Sequence, residues 1–389
     1  MPWKVESVVD ARCAFIKDWL RRRHEAAFAV ICAAHGISRQ LGYKWVERFL
    51  DGGLANLVDR SRAPVHRPQT TPEEVVDRVV AVRQRFPHYG PRKIRTTLQT
   101  LHPTVHWPAP STIGDLLKSR GLVTERKRRR RTPASTQPLA AATAPNTVWS
   151  ADYKGTFKVA GRWCHPLTIT DNASRYLLCV HGVDSESEEL AWPVFERTFH
   201  EYGLPWRIRT DNGSPFATRG LAGLSRLSVR WTRLGIVHER IEPGKPQQNG
   251  RHERMHRTLK AHVARPPKPT AVEQQHAFDE FRAHYNQERP HEGIGQKTPG
   301  SLYRPSFRPM PDDLPDPDYP DDFVVRRTYE NGGLCWNAQV LILGAVLRRE
   351  AIGIEPIEDG LQRLWFGHVY LGELREKRRG VNDFIANRG

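Results

Sequence analysis

The chain has 389 residues, enough for two to four domains with real cores, and no apolar run long enough to span a membrane. Its formal net charge is +17, of which residues 1–150 carry +14, so the N-terminal part has the field of a polyanion binder, with nucleic acid as its expected partner. Five scattered cysteines without a C-x-x-C pair, and a start without a signal-peptide pattern, argue against a disulfide framework or zinc finger and for a reducing, cytoplasmic setting.

Residues 5 to about 22 and 24–34 read as helices, and Ser38 is placed to cap a third that runs to about Leu50. Ile37, Leu41, Trp45 and Phe49 recur at i+4 and are expected to face a small core, with Arg39, Gln40, Tyr43 and Lys44 turned outward. Helix, short glycine turn, then a helix with polar and basic residues early is the helix-turn-helix pattern, which lays its second helix in the major groove of double-stranded DNA. Any three-helix bundle shares that skeleton; the exposed basic face is what favours DNA, and the four outward residues are the expected contacts. This first domain is expected over residues 1–60.

Ser61 to Pro72 is a basic, proline-containing linker, and a second unit is expected over residues 70–124. Thr71-Pro72-Glu73-Glu74 reads as a capping box, and Val75, Val76, Val79, Val82 and Phe86 form the apolar stripe behind it. Pro91 opens another helix, and Ser111 is expected to cap a last one ending at Gly121. Thr112, Lys118 and Arg120 are its DNA contacts if this is a second helix-turn-helix; the long 102–110 loop weakens the pattern. Residues 125–145 are a linker whose run from Arg126 to Arg131, Arg128 and Arg129 included, is suited to lie along phosphates.

From residue 146 to 304 strands and helices alternate. Three β runs, 148–159, 162–170 and 176–183, precede a helix at 186–202, a short strand 207–210, a helix near 220–234 and a strand 236–241. A helix then opens around Pro246, with Gly244 turning the chain in, and another fits 271–286. Antiparallel strands followed by alternating helices and strands predict a mixed sheet flanked by helices. Pro305 to Pro320 is an acidic, proline-rich extended linker. Short strands with turns at Asn331-Gly332-Gly333 and Asp359-Gly360 predict a small β-barrel over residues 321–380.

Asp152 falls inside an apolar strand and Asp211 at the end of another. A buried carboxylate is costly unless something cationic meets it. Mg²⁺ takes oxygen ligands, and a pair of such ions clamps the attacking and leaving oxygens of a phosphoryl displacement. Asp152, Asp211 and Glu253 are the expected cage. On the helix that carries Glu253, Arg257 and Lys260 follow at i+4 and i+7 and share its face. The same segment, His252-Glu253-Arg254-Met255-His256, also matches the zinc-hydrolase pattern H-E-x-x-H, with Glu273, His276 and Glu280 available as a third ligand.

Asp152, Asp211 and Glu253 in this order, with Pro246-Gln247-Gln248-Asn249-Gly250 just before the glutamate and Lys260 seven residues after it, resemble the catalytic core of insertion-sequence transposases of the retroviral-integrase superfamily. The Trp149-Ser150-Ala151-Asp152, Thr210-Asp211-Asn212-Gly213 and Tyr285-Asn286-x-x-Arg289-Pro290-His291 segments are similar to that family too. The resemblance implies a multidomain chain with a ribonuclease H-like core behind helix-turn-helix units. It implies a three-carboxylate site for two Mg²⁺ ions, with Mn²⁺ able to substitute, and phosphate-holding roles for Arg257 and Lys260. It further implies a homo-oligomer on paired DNA ends in a bacterial cytoplasm, associated with the nucleoid. The 41 residues between Asp211 and Glu253 exceed the interval common in that superfamily, and the zinc-binding N-terminal module of retroviral integrases is replaced by helix-turn-helix units. A regulator descended from such an enzyme, binding DNA without catalysis, has the same motifs.

Overall fold

A computed structural model describes residues 7–60, 70–123, 139–242, 245, 248, 250–263, 266–376 and 382–387. Arg128, Arg129, Gly244 and Pro246, singled out in the sequence, lie outside the described residues. The chain divides into two compact units, Met1–Pro72 and Glu73–Gly389.

The first unit is three helices, α1 (Val8–Arg22), α2 (Phe28–Ala34) and α3 (Arg39–Gly52). Ser38 caps α3 as expected, its hydroxyl accepting from the Leu41 N–H at 3.2 Å. Phe15, Ile16, Ile31, Cys32, Trp45, Val46 and Leu57 form the core. The buried face of α3 is turned by one residue from the expected stripe: Gly42, Trp45 and Val46 point inward, while Leu41 is 38% exposed. A strict i+4 series drifts around a 3.6-residue helix, and the close approach of α2 selects the smallest residue, Gly42. A Cβ there would sit 2.5 Å from Cys32 Sγ.

The second unit begins with α4 (Glu73–Arg85), α5 (Pro91–Leu101) and α6 (Pro110–Ser119). Val79, Tyr89, Ile94, Leu98, Trp107, Ile113 and Leu117 pack together between them. The last helix opens on Pro110 with Ala109 at its cap position, two residues earlier than a Ser111 cap implies, because proline's fixed φ already suits a first helical position. The 102–110 loop is anchored by Trp107, buried, whose indole N–H donates to the His102 carbonyl at 3.3 Å.

The mixed sheet follows: β1 (Val148–Tyr153), β2 (Phe157–Val159), β3 (Arg162–Asp171), β4 (Leu177–Val183), β5 (Arg207–Thr210) and β6 (Val237–Arg240). β3 pairs antiparallel with β1, β2 and β4, which short turns allow. β1–β5 and β5–β6 are parallel, joined through the crossover helices α7 (Glu188–Tyr202) and α8 (Arg226–Arg233). Trp149, Ala151 and Ile169 pack with Phe195, Phe199 and Trp231 of α7 and α8. The opposite face is covered by α9 (Gly250–Val263) and α10 (Ala271–Gln287) through Met255, Leu259, Phe278 and Phe281. Strand alternation therefore sends Trp149 and Ala151 to one side and Ser150 and Asp152 to the other, under α9.

The proline-rich segment after residue 305 is pinned to the core: the Arg308 guanidinium lies over the Trp206 ring and donates to the Pro205 and Leu234 carbonyls, each at 2.7 Å. Beyond it are β7 (Val324–Arg327), β8 (Gly333–Trp336), β9 (Gln339–Ile342), β10 (Ala351–Glu358), β11 (Leu361–Phe366), β12 (Val369–Arg375) and β13 (Asp383–Ala386). They form a five-stranded antiparallel sheet, β13-β12-β11-β10-β7, and the hairpin β8–β9 over a core of Leu334, Ile352, Leu364 and Phe366. Among the described residues no helix is long and apolar enough to cross a membrane.

Candidate active site

The parallel register pairs Ser150 with Arg209, so two residues further along Asp152 and Asp211 stand level where β1 and β5 end. Ligands of open α/β sheets bind in the crevice beyond the carboxyl ends of such strands. Burial pushes the Asp152 carboxyl up to about 7, and the negative charge of Asp211 adds to the rise. The Tyr153 N–H and the Lys154 ammonium pull the other way, and Glu186 adds further negative charge. Asp211 is oriented by the Gly213 N–H, which donates to it at 3.0 Å. Two carboxylates held together under partial burial make a strong demand for positive charge.

The two histidines of the H-E-x-x-H segment turn into the sheet. His252 and His256 each place Nε2 2.7 Å from the Thr168 hydroxyl oxygen, and His252 Nδ1 lies 2.9 Å from that of Thr170. Thr168 donates its only hydroxyl hydrogen to the Asp152 carbonyl at 2.9 Å. Both Nε2 atoms must therefore be N–H donors to Thr168, and His252 Nδ1 accepts from Thr170. Burial holds both imidazoles neutral, driving His252 down to about 3 and His256 lower still. The network latches α9 to β3 and leaves only His256 Nδ1 with a free lone pair, 3.8 Å from Asp152 Oδ2. Asp152, His252 and His256 do offer atoms within 4.8 Å of one another, a grouping a metal could use. The donor count opposes a zinc site, since both ring nitrogens of His252 are already committed to threonines.

Glu253, Arg257 and Lys260 lie exposed along α9. Burial, then the charge of Lys260, lowers the Lys154 ammonium, and Lys154 in turn acts on Asp152. Glu253 follows His252 directly, and among the described residues no hydrogen bond or ion pair joins it to either aspartate. Lys154, Thr168, Thr170 and Glu186 escaped the sequence reading. The one readable signal was Thr168 and Thr170 at strand spacing within an otherwise apolar run, which marks a polar face on β3.

Arg39, Gln40, Tyr43 and Lys44 are exposed on the first turns of α3, with the Tyr43 ring stacked on Phe28 at 4.3 Å between centroids. Lys118 is exposed and Thr112 half-buried, while Arg120 is ion-paired to Glu73.

Parts of this architecture match known domain families. A family model described as an integrase core domain matches residues 142–246, and a second of the same description matches 234–299. A helix-turn-helix domain model matches residues 15–64 and a homeodomain-like domain model matches 42–117. The chain carries an integrase core domain behind N-terminal helix-turn-helix domains and is similar to insertion-element proteins. It is 28% identical over 246 residues to a 39.2 kDa protein of insertion element IS476 from Xanthomonas euvesicatoria, covering 62% of this chain and 67% of that one. It is 25% identical over 255 residues to a 31.7 kDa protein of insertion element IS407 from Burkholderia multivorans, covering 63% and 87%. Among solved structures, the HTLV-2 integrase catalytic core domain in complex with magnesium matches 41% of this chain and 97% of its own, at 20% identity and a TM-score of 0.33.

Proposed function

We propose that the chain is a DNA transposase. It binds the terminal inverted repeats of its own element through the N-terminal helices, hydrolyses a strand at each end, and joins the freed 3′-hydroxyls to target DNA. The observation that carries this reading is the pair Asp152 and Asp211, level at the ends of adjacent parallel strands, with the Asp152 carboxyl pushed up to about 7 by burial and by its neighbour. An all-oxygen donor set carrying two like charges fits Mg²⁺. Asp152, Asp211 and Glu253 are the residues assigned to hold it, and the latch of His252 and His256 onto Thr168 and Thr170 fixes the helix that carries Glu253. When bound, two Mg²⁺ ions, or Mn²⁺ in their place, supply positive charge to the attacking and leaving oxygens of the displacement. Lys260 and Arg257 hold the phosphates that flank the scissile bond. Arg39, Gln40, Tyr43 and Lys44 read the end sequence, with Thr112, Lys118, Arg120, Arg128 and Arg129 along the backbone. Two such ends require at least two copies of the chain.

Strand cleavage and joining of the element's end DNA with Mg²⁺ test the reading. Cleavage by the parent and none by Asp152→Asn, with end binding equal in both, supports it. Specific binding without cleavage at any divalent concentration overturns it in favour of a DNA-binding regulator.

A further inference from the structure

A second like-charge cluster lies behind α9. Arg251 and Arg254 of that helix, Lys93 of α5, Arg175 of the turn after β3, and Arg289 beyond α10 line one small cavity of about 150 Å³. One carboxylate, Glu292, lines it with them, and it is already ion-paired to Arg92. Arg289 is 8% exposed, yet its Nε and Nη1 have no hydrogen-bond partner. Arg175 Nη1 and His291 Nε2 are buried without partners too. Burial, with the charge of Arg289 behind it, pushes the Lys93 ammonium down to about 7. A fold gains no stability from gathering cations around the buried Arg289 while its N–H groups and that of Arg175 stay idle, because each buried donor without a partner is left unsolvated. Their shared demand is for an anion with several acceptor oxygens, small enough for the cavity.

We propose that this cavity is a phosphate-binding site, distinct from the carboxylate pair, that takes one phosphate group of the bound DNA. Tetrahedral oxygens match forked guanidinium donors arriving from several directions better than a monatomic anion does. Because Lys93 belongs to α5 and the arginines to the core, a captured phosphate joins the second helical trio to the catalytic sheet. The DNA clause rests on the transposase reading; the phosphate clause does not.

The full-length protein is titrated with inorganic phosphate and, separately, with chloride at equal ionic strength, while its melting temperature is followed. Phosphate is expected to raise the melting temperature well beyond chloride, and Lys93→Gln and Arg254→Gln, the first at a half-buried and the second at an exposed position, to abolish the excess. No excess in the parent, or an undiminished one in both variants, overturns the site. For the DNA clause, the salt dependence of binding to end DNA is measured for each single variant and the double. Two residues on one phosphate reduce the salt slope by about one in the double as in the singles, whereas separate contacts reduce it by about two. A slope loss of two, or none, overturns the shared DNA phosphate. Repeating the titration with 5′-phosphorylated and 5′-hydroxyl ends tells a terminal phosphate from an internal one. The DNA clause can fail while Mg²⁺-dependent cleavage persists, so its failure is separable from that of the transposase reading.

Discussion

Asp152 and Asp171 stand on neighbouring strands of one sheet, and their surroundings treat them in opposite ways. Asp171 is fully buried and saturated with donors: the Asn146 N–H at 2.8 Å, the Ser174 N–H at 2.7 Å and the Ser174 hydroxyl at 2.6 Å. Burial raises its carboxyl, and each of those bonds opposes the rise. Asp152 faces burial, a second carboxylate and the bare Nδ1 lone pair of His256, which the Tyr153 N–H and the Lys154 ammonium offset only in part. One is a brace for the turn that closes β3. The other is a strained carboxylate, which the proposed metal site would neutralise. The cavity behind α9 is the same situation with the sign reversed. A charge that the protein itself neutralises is structural; a like-charge cluster it leaves open is a site.

Neutralising each aspartate in turn separates the two most strongly. Asp152→Asn is expected to lower strand cleavage at least about a thousandfold, the several kcal/mol that metal-assisted charge stabilisation supplies. The same change is expected to stabilise the metal-free fold. An acid raised in the folded state binds its proton more tightly there than when unfolded. Stability is then greatest at low pH and falls as pH climbs from about 4 to about 7, by up to about 4 kcal/mol for this shift. Melting curves in EDTA should therefore separate parent and Asp152→Asn at pH 8 and bring them together near pH 4. Parallel curves across that range would remove Asp152 from the unneutralised class. Mg²⁺ should raise the melting temperature of the parent at pH 8 and leave that of Asp152→Asn unchanged.

Asp171→Ala is expected to do the reverse. It strips acceptors from three donors and loses about 3 kcal/mol of stability. Denaturant titration measures this, and the Mg²⁺ response of the folded fraction should persist. Thr168→Val is smaller again, about 1–2 kcal/mol, because two imidazole N–H groups lose one shared acceptor. Its informative effect is on turnover: loosening α9 displaces Glu253, so the cleavage rate should fall while affinity for end DNA stays constant. An equal loss in both would make the latch a general packing element.

Much of this was legible in the sequence for physical reasons. Ser38, Pro91 and the strand-period run from Val148 act locally, so caps, helix starts and the order of strands could be read from composition and spacing. The face of α3 could not, because the stripe through Leu41 was decided by how closely α2 approaches Gly42. The H-E-x-x-H segment is the clearest case. Spacing alone gives two histidines on one side of a helix, and only the partner strand, with Thr168 and Thr170 in register, tells that they bond to hydroxyls. The cavity behind α9 was out of reach for the same reason. Lys93 and Arg289 are distant in sequence, and their meeting in one cavity depends on how α5 meets the end of α10.

Lys260 supplies the smallest effect and the finest test of where the acidic site ends. Seven residues place it about 10.5 Å along α9 from Glu253, two turns away on the same face. Its charge helps to lower the Lys154 ammonium, which in turn acts on Asp152. A cation so placed stands too far along the helix to replace a metal at the carboxylates, but close enough to hold a phosphate beside the scissile bond. Lys260→Ala is therefore expected to keep the fold and the Mg²⁺-dependent melting shift, and to lose about tenfold in joined product, near 1.4 kcal/mol. Lys260→Arg should recover most of that, since phosphate positioning accepts either cation. The alanine defect should deepen as salt rises, because the remaining phosphate contacts are screened. Single-turnover joining assays across a salt series measure all three. If the alanine variant joins ends at the parental rate throughout, Lys260 is a solvated helix residue, and the acidic pair works without a cation from the last turn of α9.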